Sequence, residues 1–194
     1  MEEKKELGLV TRAVIFAAEA HDGAVRKGTT LPYIVHPMEA AAIAAGMTDD
    51  PEVIAAAILH DTVEDTDATR EQIEAEFGPR VAALVASESE NKREDQKAED
   101  TWQIRKQETI DHLRLTTDLD VKILSLADKL SNLRALHRDY LALGEKLWNR
   151  FNQKDPALIG WYYRSFEETC VELADTTAYA EYIELLDKVF PTKK

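Results

Sequence analysis

The chain has 194 residues, of which 44% are hydrophobic, enough to fill the core of one domain. Its formal net charge of -13 at pH 7 argues against a general binder of nucleic acids or anionic membranes, since both are polyanions. The sequence has no signal-peptide pattern, no apolar run of bilayer length, and one cysteine, Cys170, so a cytoplasmic protein without an intramolecular disulfide is expected.

Glycine and proline are few and the apolar spacing is helical throughout, which predicts an all-α bundle of roughly nine or ten helices. The first helix is predicted over 5–21, ending near Gly23, and a loop follows over 22–35. His36-Pro37 predicts the start of a helix over 37–46, and Asp50-Pro51 predicts another start, with the aspartate as its cap. Further helices are predicted over 69–77, 79–85, 101–116, 119–139, 141–151, 156–173 and 176–189.

Residues 87–100 are nearly all polar or charged, which is typical of a surface loop; the alternative is a lid over a site. No shift in composition marks a domain boundary. We therefore expect one domain over 1–194, in which the C-terminal helices over 141–190 pack on the remainder.

The stretch from Leu59 to Asp65 is the strongest chemical signal in the chain. It follows the apolar segment 53–58 and places His60 and three acids, Asp61, Glu64 and Asp65, at or just past the end of a predicted helix. Like charges one turn apart repel, and a helix C-terminus is itself negative. A divalent cation is the simplest way to stabilise such a cluster.

Two further residues can complete a metal site. His36 stands at a predicted helix start and Asp128 lies off the main apolar stripe of the helix over 119–139; each, taken alone, is equally compatible with a purely structural or solvated position. Together with His60 and Asp61 they suit a borderline or hard divalent ion such as manganese, iron or zinc. Such an ion lowers the pKa of a bound water and supplies a nucleophile near neutral pH.

Three segments in register resemble the HD-domain phosphohydrolases, and within them the hydrolase domain of RelA/SpoT-type enzymes and the free-standing small alarmone hydrolases. The matching segments are residues 26–29 with 32–37, residues 59–66, and residues 126–134, and their order and separation fit from residue 10 to about 140. The resemblance implies an all-helical HD fold and one metal ion, usually manganese, held by His36, His60, Asp61 and Asp128. It also implies hydrolysis of the 3′-pyrophosphate of ppGpp or pppGpp to GDP or GTP plus pyrophosphate.

The same resemblance implies roles for six other residues. Glu64 and Asp65 correspond to an acidic pair that activates water and assists the leaving group. Arg26 and Lys27 correspond to residues that contact the base and the phosphates, and Asn132 to one near the ribose and the attacked phosphate. A tyrosine on a late helix contacts the nucleotide in that family, and Tyr162 is the candidate here, with core packing as the alternative for its ring.

Two regions depart from the family pattern: Ser87-Glu88-Ser89-Glu90 replaces a turn rich in valine and threonine, and the chain matches poorly from Trp148 onwards. Two other functions therefore stay open. The same site can act on another nucleotide, such as an adenine alarmone, the 2′-phosphate of NADPH or a nucleoside monophosphate, or the protein can be a nucleotide-binding regulator without turnover. The expected partner in every case is a small nucleotide, and the sequence does not predict an oligomeric state.

Overall fold

The computed structural model describes residues 6–90, 93 and 96–191, apart from the side chains of 98 and 99. Within these residues the secondary structure is helical, without a strand, so the predicted all-α fold is confirmed. The α-helices are α1 (Leu9–Ala20), α2 (Val35–Ala44), α3 (Pro51–Leu59), α4 (Thr62–Asp65), α5 (Arg70–Phe77), α6 (Pro79–Glu88), α7 (Ala98–Leu115), α8 (Leu119–Leu143), α9 (Pro156–Thr169) and α10 (Thr177–Val189). Two 3-10 helices, Gly144–Arg150 and Val171–Leu173, flank α9.

Several helix ends differ from the predicted ones for identifiable reasons. Helix α2 begins at Val35 rather than at Pro37, because proline is tolerated throughout the first turn, where no intrahelical N–H bond is lost. Helix α8 runs on to Leu143 and ends where Gly144 takes a φ of 56°. The predicted helix over 141–151 is therefore the end of α8 followed by a 3-10 helix, and α9 ends at Thr169 rather than at 173.

Helix α8 occupies the centre of the bundle. It packs against α2, α3, α6, α9 and α10, and its buried residues point to several sides of the helix. This confirms what the apolar residues around most of its circumference predict. Because α8 is surrounded, four of its polar side chains are also buried: Lys122, Ser125, Asp128 and Ser131.

Helix α3 ends immediately before the polar motif. Its cap is Asp50, whose side chain accepts a hydrogen bond from the N–H of Glu52, and Pro51 occupies the first position as predicted. His60 and Asp61 form a one-turn break, after which the short helix α4 carries Glu64 and Asp65. The motif is therefore divided between this break and the separate helix α4.

One hydrophobic cluster contains buried residues from Ala13 to Phe190, so the C-terminal helices share it with the rest of the chain. None of the helices in the described part of the chain is both long enough and apolar enough to cross a membrane. Of the polar segment 87–100, residues 91, 92, 94 and 95 lie outside the described residues, so the choice between loop and lid stays open. A single domain over 1–194 likewise stays a prediction.

Candidate active site

Three parts of the bundle bring two imidazoles and two carboxylates together. Helix α2 supplies His36, the α3–α4 break supplies His60 and Asp61, and the middle of α8 supplies Asp128. The Nε2 atom of His36 lies 3.4 Å from Oδ2 of Asp61 and 3.1 Å from Oδ1 of Asp128. The corresponding distances from Nε2 of His60 are 3.1 Å and 3.6 Å. Residues that are far apart in the sequence thus meet at one place in the bundle.

The ring of His60 is oriented by the main chain. Its Nδ1 lies 2.9 Å from the carbonyl oxygen of Ala57, which can only accept a hydrogen bond, so Nδ1 carries a proton. Its Nε2 is buried and has no hydrogen bond of good geometry among the described residues, although carboxylate oxygens of Asp61 and Asp128 are close. The lone pairs of this Nε2 and of the two carboxylate oxygens cannot face one another without a proton or a metal ion between them.

The pKa values of the residues in the cluster are also consistent with a bound cation. Burial lowers the pKa of His60, but Asp61 and Asp128 outweigh burial and hold that pKa well above its ordinary value. Burial raises the pKa of both carboxyl groups, but nearby positive charge, chiefly that of His60 at Asp61 and that of Lys129 at Asp128, holds each pKa well below its ordinary value. The carboxylates are therefore ionised and available as ligands.

The donor set fits a divalent metal ion. One ligand atom from each of His36, His60 and Asp128 lies within 4.8 Å of the other two, and all three residues are buried. Imidazole nitrogen and carboxylate oxygen together suit manganese, iron or zinc, as the residue types predicted. These three residues form a possible metal site, beside which Asp61 places a fourth donor.

The acidic pair lies on α4, next to this cluster. Oδ2 of Asp65 is 3.0 Å from the hydroxyl of Tyr33, and Asp65 also lines the adjacent cleft. Oε2 of Glu64 accepts a long hydrogen bond, 3.5 Å, from the main-chain N–H of Glu90. Asp65 thus shares the Tyr33 hydroxyl with Asp61, and the roles of both acids in handling protons stay a prediction.

A cleft of about 460 Å³ opens beside the cluster. Two acids line it, Asp65 and Asp139, against a majority of cations. The cationic residues in its wall are Arg26, Lys27, Arg105, Lys106, Lys129, Arg138 and Arg150. In a chain of net charge -13, such a concentration of positive charge marks a site for a small, strongly negative ligand.

The four residues predicted to contact substrate all line this cleft. Arg26 donates through Nη2 to Oδ1 of Asn132 at 2.6 Å, and Asn132 donates through Nδ2 to Oδ1 of Asp128 at 2.6 Å. These two hydrogen bonds connect the loop over 22–34 directly to the cluster of histidines and carboxylates. Lys27 is held on the other side of the loop, where its Nζ donates to Oδ1 of Asn152 at 3.2 Å.

The side chain of Tyr162 packs in the core and also lines the cleft. Its ring is almost fully buried against Phe166 and Trp102, as the packing alternative required, and it also faces the cleft. Its hydroxyl is buried without a hydrogen-bond partner among the described residues. Lys106 lies 4.7 Å from the ring centroid. An unsatisfied hydroxyl at the edge of a cationic cleft is suited to bind a polar ligand atom.

Two participants went unnoticed in the sequence. Tyr33 has its hydroxyl 2.7 Å from Oδ2 of Asp61, and its ring packs against the buried His21. Tyr33 lies in a segment that matches the family, three residues before His36, and that proximity was the available signal. Lys106 lies on a charged helix, and nothing in its local pattern distinguishes it from a solvated residue.

The fold and the site together define a class of protein: an all-α bundle in which buried histidines and carboxylates meet beside a cationic cleft. The family model described as HD domain matches residues 13–155. This chain therefore belongs to the HD domain family.

Curated relatives share much of the matched region. The chain is 38% identical over 164 residues to the putative GTP diphosphokinase RSH1, chloroplastic, of Oryza sativa subsp. japonica, covering 75% of this chain and 18% of that protein. It is 40% identical over 129 residues to the guanosine-3′,5′-bis(diphosphate) 3′-pyrophosphohydrolase of Aquifex aeolicus, covering 66% of this chain and 18% of that protein. The chain thus spans less than a fifth of the length of these relatives.

Two solved structures are similar over nearly their whole length. A protein from Listeria monocytogenes EGD-e is 34% identical with a TM-score of 0.70, covering 83% of this chain and 97% of its own. A metazoan ortholog of SpoT, which hydrolyses ppGpp and plays a role in starvation responses, is 27% identical with a TM-score of 0.68. The match covers 97% of this chain and 97% of that one.

Proposed function

We propose that this chain is a metal-dependent phosphohydrolase that cleaves the 3′-pyrophosphate from ppGpp or pppGpp, releasing GDP or GTP and pyrophosphate. The observation that carries the proposal is the cationic cleft that adjoins the buried histidine–carboxylate cluster in an otherwise acidic chain. Membership of the HD domain family and the similarity to the pyrophosphohydrolase of Aquifex aeolicus and to the metazoan ortholog of SpoT support the same reaction.

We assign His36, His60, Asp61 and Asp128 to one divalent ion, with manganese as the expected metal. When bound, it supplies a Lewis acid that lowers the pKa of a water molecule and polarises a phosphate oxygen. Lys129, a residue of the cleft wall, contacts Asp128 and offsets part of the negative charge there.

The acidic pair on α4 is the proposed proton-handling group. Asp65 lines the cleft and is held by the hydroxyl of Tyr33, so its carboxylate can take a proton from the attacking water or orient that water. Glu64 lies one residue away, bonded to the main chain of Glu90, and can assist the leaving pyrophosphate. Both roles require reach to the attacked phosphate, which the cleft position of Asp65 supports.

Substrate contacts follow from the chemistry of the cleft wall. The planar guanidinium of Arg26 can stack on a purine, and its hydrogen bond to Asn132 holds it beside the cluster. Lys27 and Lys106 add positive charge for the phosphates. Asn132 and the unsatisfied hydroxyl of Tyr162 are placed to bind polar groups of the ribose or phosphate.

The direct test is pyrophosphate release from ppGpp by the full chain loaded with manganese. Release that needs metal and is lost in Asp61→Asn supports the proposal, and the absence of any release by the metal-loaded protein contradicts it. A nucleotide panel in the same assay decides the substrate. Faster turnover of an adenine alarmone than of ppGpp would identify the adenine nucleotide as the preferred substrate. Release of orthophosphate from a phosphomonoester such as NADPH would indicate phosphomonoester hydrolysis instead of pyrophosphate release.

Binding of ppGpp without product would instead indicate a regulator that kept the fold and lost turnover. Against that reading, both acids are present beside the cluster, and a mere binding protein has no need of a group that activates water. A cytoplasmic location is part of the proposal, since a nucleotide substrate and a single buried cysteine are both suited to that compartment.

A further inference from the structure

A row of side chains connects the candidate metal cluster to the C-terminal helix. Nδ1 of His36 lies 2.8 Å from the hydroxyl oxygen of Ser131, and that hydroxyl donates to Oε2 of Glu39 at 2.8 Å. Oε1 of Glu39 accepts a hydrogen bond from Arg134 at 3.1 Å. Arg134 in turn donates through Nε and Nη2 to the carboxylate of Glu181 on α10, at 2.7 and 2.6 Å.

The direction of these hydrogen bonds determines the tautomer of His36. The serine hydroxyl has a single proton, which it donates to Glu39, because an ionised carboxylate can only accept. Toward His36 the hydroxyl oxygen is then an acceptor, so Nδ1 must carry the proton. The lone pair of Nε2 consequently faces Asp61 and Asp128, which is the orientation that a metal ligand needs.

The two histidines reach this orientation by different means. The Nδ1–H of His60 donates to the main-chain carbonyl of Ala57, which no substitution removes. The partner of His36 is a side chain, buried Ser131, which is itself oriented by another side chain. One metal ligand is therefore held by the helix backbone, and the other depends on two residues that can be exchanged.

We propose that Ser131 and Glu39 are positioning residues that hold His36 as the Nδ1–H tautomer with Nε2 directed at the metal, and that Arg134 and Glu181 anchor them. The proposal rests on the proposed metal site and extends it, since it assigns a role to α10, which lies outside the acidic motif and the cleft wall. Groups of this kind typically contribute about 10- to 100-fold to metal affinity.

The test measures metal binding and the state of the imidazole, without any substrate. The full chain is titrated with Mn²⁺ against a competing chelator, and the histidine ring N–H signals of the metal-free and Zn²⁺-loaded protein are recorded by ¹⁵N–¹H NMR. Ser131→Ala is expected to weaken Mn²⁺ binding about 10- to 100-fold and to remove or shift the Nδ1–H signal of His36, while that of His60 is unchanged. Ser131→Thr keeps the hydroxyl and is expected to restore both.

Ser165→Ala is the matched control, because Ser165 is also buried but its hydroxyl donates to the main-chain oxygen of Tyr162. It should leave Mn²⁺ affinity and both ring signals as they are. If Ser131→Ala folds, binds Mn²⁺ like the wild type and retains the His36 signal, the positioning role is wrong. Failure to hydrolyse ppGpp overturns the proposed function but leaves this result intact, because no substrate enters the experiment.

Discussion

The hydroxyl oxygen of Tyr33 lies 2.7 Å from Oδ2 of Asp61, and the same atom is 3.0 Å from Oδ2 of Asp65. It thus joins a proposed metal ligand to a proposed proton-handling group. Burial and the two carboxylates hold the pKa of Tyr33 well above its ordinary value, so the hydroxyl stays protonated and acts as a donor. One side chain from the loop before α2 therefore sets the separation of two acids that lie four residues apart.

Tyr33→Phe tests this relationship. The ring and its packing on His21 remain, but the one hydroxyl proton that Asp61 and Asp65 share is lost. A hydrogen bond to a charged group contributes about 1.5–3 kcal/mol, so kcat for pyrophosphate release is expected to fall about 10-fold or more, with a smaller change in KM. Tyr140→Phe removes a hydroxyl that also bonds a carboxylate, Glu145, outside the cleft, and should leave kcat unchanged. Equal activity of the two variants would contradict the assignment.

Metal binding is expected to release a proton. In the metal-free protein Asp61 and Asp128 overcome the effect of burial and raise the pKa of His60 well above its ordinary 6.5, so near neutral pH the ring is protonated. A metal ligand must be neutral, so Mn²⁺ displaces that proton. Affinity should therefore rise with pH until the raised pKa is passed, and weaken at lower pH. Calorimetry in buffers of different ionisation enthalpy measures the proton release, and a value of zero at pH 7 would exclude this prediction.

The cationic wall is expected to act mainly on substrate binding. Lys106→Met keeps most of the side-chain length but removes one positive charge from the cleft, so KM for ppGpp should rise about 10-fold with a smaller change in kcat. Lys188→Met removes the same charge from the exposed surface of α10, where the ammonium pairs with Glu184, and should have little effect. A similar response of both variants would indicate that net charge, rather than the cleft, attracts the substrate.

Gly28 is expected to couple the substrate loop to the segment after α8. Its φ is 72°, and a Cβ built there would lie 2.7 Å from Cδ of Arg150, whose guanidinium binds Asp139. Gly28→Ala should lower stability by about 1 kcal/mol and also raise KM, because Arg150 must move and Lys27 moves with the loop. Gly23→Ala has the same backbone cost at a φ of 75° but meets no atom within 4 Å, so only its melting temperature should fall.

A double variant distinguishes the steric contact with Arg150 from backbone strain at Gly28 as the cause of the raised KM. In Gly28→Ala/Arg150→Ala the clash is absent, so the KM of the double variant should be no higher than that of Arg150→Ala alone. If Gly28→Ala instead raises KM to the same extent in both backgrounds, backbone strain in the loop is the cause and the contact with Arg150 is irrelevant.

Local pattern was sufficient for most of the helices and for the motif that carries His60 and Asp61. The proline and aspartate at the start of α3 act on their own helix end, and His60 and Asp61 stand in a contiguous motif, so nearby sequence specifies both. Asp128 was equally compatible with a solvated position on periodicity alone, and the resemblance to a family, rather than spacing, brought it into the site.

Pairings across the bundle could not be predicted in this way. Ser131 lies 92 residues from Glu39, and Arg26 lies 106 residues from Asn132. Whether such a polar side chain faces solvent or a partner depends on how helices pack, and a serine inside a helix has no pattern of its own. Tyr33 and Lys106 were missed for the same reason, because their functional neighbours belong to other elements.

Within two turns, helix α8 carries five residues of the proposed site. They are a metal ligand (Asp128), its counter-charge (Lys129), a support for His36 (Ser131), a substrate contact (Asn132) and the anchor of that support (Arg134). Their partners outside α8 include Arg26, Glu39 and Glu181, which belong to three different parts of the chain, and α-helical geometry sets the angle between the side chains. Insertion or deletion of a single residue in α8 ahead of Asp128 would turn all of them by about 100° at once. These positions of α8 can therefore evolve only through replacement of one residue by another, because a change of length would displace all of their contacts at once.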